Sequence, residues 1–395
     1  MDQAMIPTMV IATTNDQWQD QRMQRWCKTL VESGWKVHWL GVDRGRPVPL
    51  RNTDRVVYER FKIVLGSGPL FYAIFNCRIF LRVMTLPGTC FLSVDVDTLP
   101  ALRLASFLKG KPLWFDAHEW FTEVPELLNR PITRNIWKLI IHLFLSGKVQ
   151  CYTVGPELAS RLTKSWGKPF EVLRNMPNLQ VRSLGNSNQE PVESHYDLHA
   201  IVPGLEGPYL LYQGALNMGR GLEPLLEAAA LGLPYPLVIA GSGDLEGLIQ
   251  TFVKDRKLEN KVMLTGPLNP QKLLLLTKNA FLGFNLLETQ SQSYYYSLAN
   301  KFFDYVQAGL PQVCIDYPEY RHHMALHRVG WLIENTNPES IVQYCKQIVG
   351  DPDQYRVIRE NCHHAAVDWN WDKESAALQK RLIEWRALLQ PVNQV

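Results

Sequence analysis

Short apolar runs alternate along the chain with segments that have helical spacing. Near the start, the apolar run 9–13 is followed by a helical pattern over about 19–33 and then by a second apolar run over 36–41. A strand, a helix and a strand within about 30 residues are typical of a βαβ unit, which implies parallel strands. The same alternation recurs from Tyr209 onward. The pattern therefore predicts an α/β fold in which two halves repeat one architecture.

The length of the chain favours more than one domain. A chain of 395 residues is longer than one ordinary hydrophobic core supports. Its second quarter ends in a polar, irregular stretch that is typical of a linker. We predict an N-terminal domain over 1–178, a linker over 179–207, a C-terminal domain over 208–370 and a last helix over 371–395.

Composition and charge exclude several classes of function. With 46% hydrophobic and 20% charged residues the chain has the composition of a globular enzyme, and a net charge of +3 gives no support to nucleic-acid binding. Seven cysteines without a CxxC pair indicate free thiols in a reducing cytoplasm. The N-terminus lacks the pattern of a signal peptide. The longest apolar run, 70–84, would reach about 22 Å as a helix against a hydrocarbon core of about 30 Å.

Two segments of the N-terminal half combine apolar residues with cations. These segments are 61–84 and 135–145, and apart from their cations they are apolar on all sides. Such helices most often pack against a core or a sheet. The alternative is an apolar, cationic surface that docks on anionic lipid and meets a lipid-linked acceptor. The sequence leaves both interpretations open, and with them a peripheral position on the inner face of the cell membrane.

Polar residues follow the predicted strands of the N-terminal half. Asp20 and Arg22 lie in the first turn of the first helix, at the strand edge where open α/β sheets bind ligands. The alternative is a charged turn that only complements the helix dipole. The triplet 95–97 (DVD) has the form of a metal-binding motif, but we interpret 97–100 as a turn and N-cap that opens a helix over 101–109.

The most polar strand end in this half is 116–123 (DAHEWFTE). A single histidine such as His118 is more often a structural residue than a catalytic one. The density of polar side chains around it, including Glu119, favours a role in a site. His322-His323 and His363-His364 are adjacent pairs, and neighbouring residues on a helix point in different directions, so we expect no metal site there.

Glycine-rich loops follow the predicted strands of the C-terminal half. Gly214 allows close backbone approach, and the turn 219–221 brings Arg220 to the same edge. Further on, 297–300 is predicted to cap a helix that begins at Lys301, where free N–H groups favour an anion. Asp304 lies one turn later on the same side. A cation for phosphate beside a carboxylate for vicinal hydroxyls suits a nucleotide-sugar.

Several of these segments resemble family 4 of the retaining glycosyltransferases, the bacterial group 1 type. The segment 300–311 (NKFFDYVQAGLP) resembles the family's NK-[LF]-F-[ED]-Y pattern with its later G-x-P, and 116–123 resembles D-[AS]-H-E-x-[FW]-x-E. The loop 212–221 resembles the donor-phosphate loop Y-x-G-x5-[KR]-G, and 174–178 (RNMPN) resembles the exit from the first domain. The resemblance implies a GT-B fold, which has two facing Rossmann-like domains, parallel sheets and a last helix that crosses back to the first domain.

The resemblance also implies roles for individual residues. The catalytic candidates are His118, Arg220 and Lys301, and the acceptor-side candidates are Asp20, Arg22 and Glu119. The donor-binding candidates are Gly214, Arg220, Gly241, Ser242, Gly243, Thr265, Gly266, Leu268, Tyr296, Ser297, Asn300, Lys301 and Asp304. Two positions depart from the pattern, since Ala215 replaces a frequent arginine and Tyr296 replaces a sugar-binding glutamate. A subgroup with a Y-S-x-x-N-K pattern shares the second departure.

The resulting hypothesis is a retaining glycosyltransferase that moves a sugar from a nucleotide-diphosphate sugar to a glycan, a lipid-linked or another hydroxyl acceptor, in polysaccharide or glycoconjugate synthesis. It needs neither a metal nor another cofactor. One alternative is a sugar-nucleotide epimerase or hydrolase on the same fold. The other is a non-catalytic binding protein, which Ala215 and Tyr296 favour and the intact basic residues oppose.

Overall fold

The computed structural model describes residues 6–18, 20–45, 50–66, 68–179, 197–288 and 291–388. The chain divides into two compact units. The N-terminal unit comprises Met1–Asn175 and Asp372–Val395, and the C-terminal unit comprises Met176–Trp371. Most of the predicted linker, residues 180–196, lies outside the described residues.

A seven-stranded parallel sheet forms the centre of the N-terminal unit, in the order β3-β2-β1-β4-β5-β6-β7. Its strands are β1 (Thr8–Ala12), β2 (Lys36–Asp43), β3 (Val56–Lys62), β4 (Cys90–Val94), β5 (Leu113–Ala117), β6 (Val149–Thr153) and β7 (Phe170–Val172). Its first helices are α1 (Gln21–Glu32), α2 (Pro69–Thr85), α3 (Leu99–Lys109), α4 (Pro125–Leu128), α5 (Pro131–Phe144) and α6 (Pro156–Trp166).

The C-terminal unit has a six-stranded parallel sheet in the order β10-β9-β8-β11-β12-β13. Its strands are β8 (Leu210–Gln213), β9 (Leu237–Ala240), β10 (Val262–Gly266), β11 (Leu282–Asn285), β12 (Gln312–Ile315) and β13 (Gly330–Ile333). Its helices are α7 (Leu198–Ile201), α8 (Leu222–Leu231), α9 (Glu246–Asp255), α10 (Pro270–Asn279), α11 (Gln292–Tyr295), α12 (Asn300–Ala308), α13 (Pro318–Leu326), α14 (Pro338–Gly350) and α15 (Pro352–Asp368).

The chain ends in α16 (Trp371–Glu374) and α17 (Ala376–Leu388). Although α17 is last in sequence, it is part of the N-terminal unit. The indole N–H of Trp35 donates to the carbonyl of Leu382 at 3.1 Å, and Arg381 donates to the Tyr152 hydroxyl at 2.9 Å. These contacts tie the last helix to the turn between α1 and β2 and to β6 of the sheet.

The predicted α/β class with two Rossmann-like parallel sheets is confirmed. In both sheets the first strand of the unit lies inside the sheet, and the fourth strand pairs with its other side. The strand order therefore reverses between β1 and β4 in one sheet and between β8 and β11 in the other. Ligands of open α/β sheets bind at the carboxyl ends of strands beside such a reversal.

Some predicted boundaries were wrong. The sequence did not reveal β3, which ends inside the segment read as one apolar stretch from residue 61. The helix predicted over 101–109 begins at Leu99, and its cap comes from elsewhere in the fold. Asn76 on α2 accepts a hydrogen bond from the Ala101 amide at 3.1 Å, whereas Asp97 accepts one from Thr14. A cap supplied by another helix leaves no local sequence pattern.

No helix within the described ranges is long and apolar enough to cross a lipid bilayer.

Candidate active site

The helix predicted to follow the polar loop of the C-terminal unit is α12. It begins at Asn300, one residue before the predicted start, and its cap residue Ala299 offers no side-chain hydrogen bond. The predicted cap at 297–300 was therefore wrong. The Ser297 hydroxyl is used in the preceding turn instead, where it donates to the Tyr294 carbonyl at 2.9 Å. Gly309 ends the helix with φ 71°, as its left-handed role predicts.

Lys301 occupies the second position of α12 and is only 7% exposed. Its ammonium nitrogen lies 3.7 Å from the centroid of the Tyr212 ring, at the end of β8. Burial first, and then the charge of Arg220, lower the pKa of Lys301 well below its ordinary value. A buried lysine on an aromatic face, close to a second cation, favours an anionic ligand.

Arg220 lies in the loop between β8 and α8, between two glycines with φ 74°. A Cβ at Gly221 would lie 1.9 Å from the Leu286 carbonyl oxygen, so the turn accepts only glycine there. The guanidinium carbon lies 5.8 Å from the Tyr294 ring centroid. The Arg220 Nε is buried and has no hydrogen-bond partner within the described part of the chain.

The two cations converge on one place. The charge of Arg220 acts on the pKa of both Lys301 and Tyr212, and Tyr212 is the ring that Lys301 contacts. Neither cation forms an ion pair with a carboxylate in the segments that the structure describes. The carboxylate of Glu223 also acts on the pKa of Tyr212. Two basic side chains at one strand edge, neither of them ion-paired among the described residues, favour a polyanionic ligand there.

Three loops at the same edge hold one another through their backbones. The amide of Leu216 donates to the Ser242 carbonyl at 3.0 Å, and the amide of Gly241 donates to the Gly266 carbonyl at 3.0 Å. A Cβ at Gly241, whose φ is 154°, would lie 1.8 Å from the Gly214 carbonyl oxygen. These contacts bring together the loops after β8, β9 and β10, which contain most of the predicted donor-binding glycines.

The other predicted donor residues differ in burial. Asp304 is half-buried and lies one turn after Lys301, while Asn300 is exposed at the start of α12. Thr265 near the end of β10 and Leu268 after it are half-buried, and Ser242 and Gly243 are exposed. Tyr296 is 6% exposed, and its ring packs edge-on against Tyr295 at 4.9 Å. Their roles in donor binding remain predictions.

A second polar cluster lies at the carboxyl end of the N-terminal sheet. Asp116 at the end of β5 is fully buried, and Arg22 grips both of its oxygens at 2.8 and 2.7 Å. Arg22 also donates to the Leu173 carbonyl at 2.6 Å and is itself 3% exposed. The predicted acceptor-side residue Arg22 is thus an internal partner of Asp116, so any effect on an acceptor would pass through that carboxylate.

His118 lies between two carboxylates. Its Nε2 is 3.3 Å from Asp116 Oδ2 and its Nδ1 is 3.6 Å from Asp95 Oδ2, while its backbone amide donates to Asp95 Oδ1 at 2.8 Å. The side chain is 21% exposed. Burial alone would lower the pKa of His118, but the charge of Asp95 and the bond to Asp116 outweigh it and raise the pKa to about 9. The imidazole is therefore protonated near neutral pH.

The sequence placed Asp116 and His118 in one polar segment, but it did not reveal that Asp95 belongs with them. The available signal was that β4 and β5 are consecutive strands whose ends meet at one sheet edge. Asp95 has φ 55°, which turns the chain toward His118, and burial raises the pKa of Asp97 to about 7. Within the described ranges no three His, Cys, Asp or Glu side chains are grouped to hold a metal ion.

The remaining acceptor-side candidates are Asp20 and Glu119. Asp20 is the N-cap of α1, where one carboxylate oxygen accepts from the Met23 amide at 3.0 Å. Its other oxygen is buried without a hydrogen-bond partner among the described residues. Glu119 is half-buried beside His118. Their contacts with an acceptor remain predictions.

Comparison with known proteins agrees with the resemblance found in the sequence. Residues 200–364 match the family model described as Glycosyl transferases group 1. The matched segment contains both cations and the three loops described above. A search of curated protein sequences found no significant match.

Solved structures of similar fold cover nearly the whole chain. Sucrose-phosphate synthase from Thermosynechococcus elongatus superimposes with a TM-score of 0.74 at 15% identity, over 97% of this chain and 100% of its own. WaaG, a glycosyltransferase involved in lipopolysaccharide biosynthesis, gives 0.71 at 14% identity, over 95% and 99%. HepE of Anabaena in complex with UDP-glucose gives 0.68 at 12% identity, over 96% and 99%. At these identities the likeness establishes the fold, and the family match over 200–364 confirms the resemblance.

Proposed function

We propose that this chain, whose residues 200–364 match the model of Glycosyl transferases group 1, moves a sugar, with retention of anomeric configuration, from a nucleotide-diphosphate sugar to a hydroxyl of a glycan or lipid-linked acceptor. We place this reaction in polysaccharide or glycoconjugate synthesis. The proposal extends the family match in three respects: the donor class, the stereochemical course and the acceptor class.

One observation supports the donor class above all others. Lys301 lies on the ring of Tyr212, the charge of Arg220 acts on the pKa of both Lys301 and Tyr212, and neither cation is ion-paired with a carboxylate among the described residues. A diphosphate supplies the missing negative charge. Asp304, one helical turn beyond Lys301, suits the vicinal hydroxyls of a ribose.

The same cations suit the chemistry of transfer. As the bond from the anomeric carbon to the diphosphate breaks, negative charge grows on the leaving oxygen and the sugar becomes oxocarbenium-like. Fixed cations beside that oxygen stabilise the transition state more than the ground state. No acid needs to protonate the leaving group. In the front-face course we propose, a donor phosphate oxygen accepts the proton of the attacking hydroxyl.

We also propose that His118 takes part in turnover. The Nε2 of the protonated imidazole is committed to Asp116 at 3.3 Å, whereas Nδ1 is 3.6 Å from Asp95 and forms no hydrogen bond with it, so Nδ1–H is the group that suits a contact with a hydroxyl of the donor sugar. His118→Gln should then lower kcat more than it weakens nucleotide binding. An unchanged kcat would remove His118 from the reaction.

A ligand screen tests the donor class. HepE has been solved with UDP and with UDP-glucose, so UDP and its sugars come first, followed by GDP and ADP with theirs. A ligand that binds only the folded state raises the melting temperature. We expect one nucleotide series to do so in the wild type. No rise with any of the three would contradict the donor proposal.

Variants of the two cations test the site. We expect Arg220→Gln and Lys301→Met to lose transfer while the free proteins melt near the wild-type temperature. Lys254→Met, an exposed lysine of α9, is the matched control and should keep full activity. Transfer at the wild-type rate in both variants of the site would refute the assignment.

Two product measurements separate the rivals. Proton NMR of the product reports the anomeric configuration, and inversion would refute the retaining course. Incubation with the donor alone separates transfer from epimerisation or hydrolysis, because only the last two consume the donor without an acceptor. A chain that binds donor but turns over none with any acceptor tested would be a binding protein.

A further inference from the structure

Three helices of the N-terminal unit carry an apolar surface that packing within the chain does not use. Helix α3 packs against both α2 and α5, and α2 and α5 also meet through the rings of Tyr72 and Trp137, 5.2 Å apart. The inward sides of these helices are buried, for example at Phe75 on α2 and Ile141 on α5. The outward sides of α2, α3 and α5 together form what we name the outer helical face.

Helix α5 shows the pattern most clearly. Ile132, Ile136, Leu139 and Leu143 follow one another at spacings of four, three and four residues, which places them on one side of the helix. They are 78%, 52%, 55% and 54% exposed. Because Trp137 between them is buried, the exposed strip is the side opposite the core.

The neighbouring helices α2 and α3 also carry exposed apolar side chains. Leu104, Phe107 and Leu108 are exposed on α3, and Leu70, Leu81 and Met84 are exposed on α2. Together the three helices carry ten of the 23 exposed large apolar side chains of the described residues, although their 17, 11 and 14 residues are a small part of the chain. Such a concentration indicates a surface that is covered by something apolar.

The net positive charge of the same three helices indicates which kind of apolar partner they bind. None of the three contains an aspartate or a glutamate. At the average of the chain, 38 acidic residues in 395, they would carry about four. They do carry seven basic or histidine side chains: Arg78, Arg82, Arg103, Lys109, Arg134, Lys138 and His142.

Two acidic side chains of neighbouring elements already form ion pairs with cations of these helices. Glu59 on β3 pairs with Arg82 at 2.8 Å, and Glu123 pairs with Arg134. Lys138 is exposed among the apolar residues of α5. A long cationic side chain in such a position can lay its stem along apolar surface and hold its charge at the level of phosphate groups.

We propose that the outer helical face docks on an anionic lipid bilayer. The apolar strips enter the boundary between headgroups and acyl chains, and the exposed Arg78, Lys138 and His142, which lie outside the two ion pairs, meet the lipid phosphates. This arrangement is that of helices that lie in a membrane interface without spanning it. A transferase docked in this way would meet acceptors held in the bilayer, and that consequence alone rests on the proposed function.

Vesicle co-sedimentation of the full chain, without donor or acceptor, tests docking separately from catalysis. We expect at least about tenfold stronger binding to vesicles with one third phosphatidylglycerol than to pure phosphatidylcholine, and a loss of that preference at about 0.5 M salt. The double variant Phe107→Asp/Ile136→Asp should abolish binding, and Lys138→Glu should weaken it. The matched control Leu248→Asp/Val357→Asp changes two exposed apolar residues of the C-terminal unit and should bind as the wild type does.

Three results would overturn the proposal. They are equal binding to both kinds of vesicle, no binding to either, and a control variant that loses binding as completely as Phe107→Asp/Ile136→Asp. Sedimentation velocity distinguishes a further case, in which the wild type is a dimer that Phe107→Asp/Ile136→Asp dissociates. With no vesicle binding, that result would assign the outer helical face to contact between two copies of the chain. Donor binding by the same variants reports on the proposed function independently, because the donor residues lie in the other unit.

Discussion

The carboxylates around His118 allow a prediction about its pKa that can be tested without knowing the substrate. Asp95→Asn replaces one oxygen by an amide nitrogen and removes one negative charge beside the imidazole. The amide oxygen of asparagine can still accept the hydrogen bond of the His118 backbone amide, which Asp95 Oδ1 accepts at 2.8 Å. Asparagine also tolerates the φ of 55° at this position better than alanine does. The substitution therefore tests charge with little change of shape.

The expected change follows from distance. The carboxylate oxygen of Asp95 lies 3.6 Å from Nδ1 of His118. At an effective dielectric constant of about 20, opposite charges at that separation attract by about 5 kcal/mol, or about three pKa units. Both charges are delocalised over several atoms, so the mean separation is larger, and we expect a fall of about one to two units.

The assay is an NMR titration of the imidazole ring, with His118→Gln used to assign its signal. In the wild type the midpoint should lie near 9, and in Asp95→Asn it should move toward neutral pH. A wild-type midpoint near 6.5, or a midpoint that Asp95→Asn leaves unchanged, would refute the electrostatic account. It would also remove the reason for treating His118 as a cation.

The same shift has a consequence for stability. Because the folded-state pKa of His118 is raised above 6.5, its contribution is complete below pH 6.5 and is lost as the pH rises through about 9. The free energy of unfolding of the wild type should therefore exceed that of Asp95→Asn at pH 6 by more than it does at pH 10. Urea unfolding at the two pH values measures this difference, and an equal gap at both would contradict the assignment.

Four further predictions concern Lys301, a glycine turn of the C-terminal unit, Arg22 and the dependence of transfer on metal ions. Burial lowers the pKa of Lys301, and a bound anion favours its charged form, so a nucleotide diphosphate should bind more weakly as the pH rises. Binding should also be accompanied by uptake of a proton at Lys301. Calorimetry in two buffers of different ionisation enthalpy detects that proton, and Lys301→Met should remove it. Gly241→Ala should destabilise the C-terminal unit by about 2–4 kcal/mol in urea unfolding, whereas Gly247→Ala, with open space around it, should not. Arg22→Met should cost about 3–5 kcal/mol in urea unfolding, because it removes the two-point partner of the buried Asp116 carboxylate and leaves only the longer contact with His118, and a cost below about 1 kcal/mol would contradict that account. Transfer should persist in excess EDTA, and a loss that Mg²⁺ or Mn²⁺ restores would contradict the metal-independent course.

Much of each unit could be predicted from local sequence alone. The alternation of apolar runs and helical spacing predicted parallel α/β units, because buried strands and amphipathic helices have different periods. Gly309 and Pro311 predicted the end of α12, because glycine accepts a left-handed φ and proline does not continue a helix. The loop that contains Arg220 was identified from glycine residues after a predicted strand, and the position of Lys301 from the predicted start of α12.

What the tertiary structure decided is which of these residues meet. Lys301 contacts Tyr212 and Arg22 grips Asp116 because parallel strands far apart in sequence end at one edge, an arrangement that strand order sets. The protonated state of His118, the cap that Asn76 provides for α3 and the outward direction of the apolar strips depend on the same long-range packing. Local propensities act over a few residues, whereas burial and Coulomb interactions act between whichever groups the fold brings within a few ångströms.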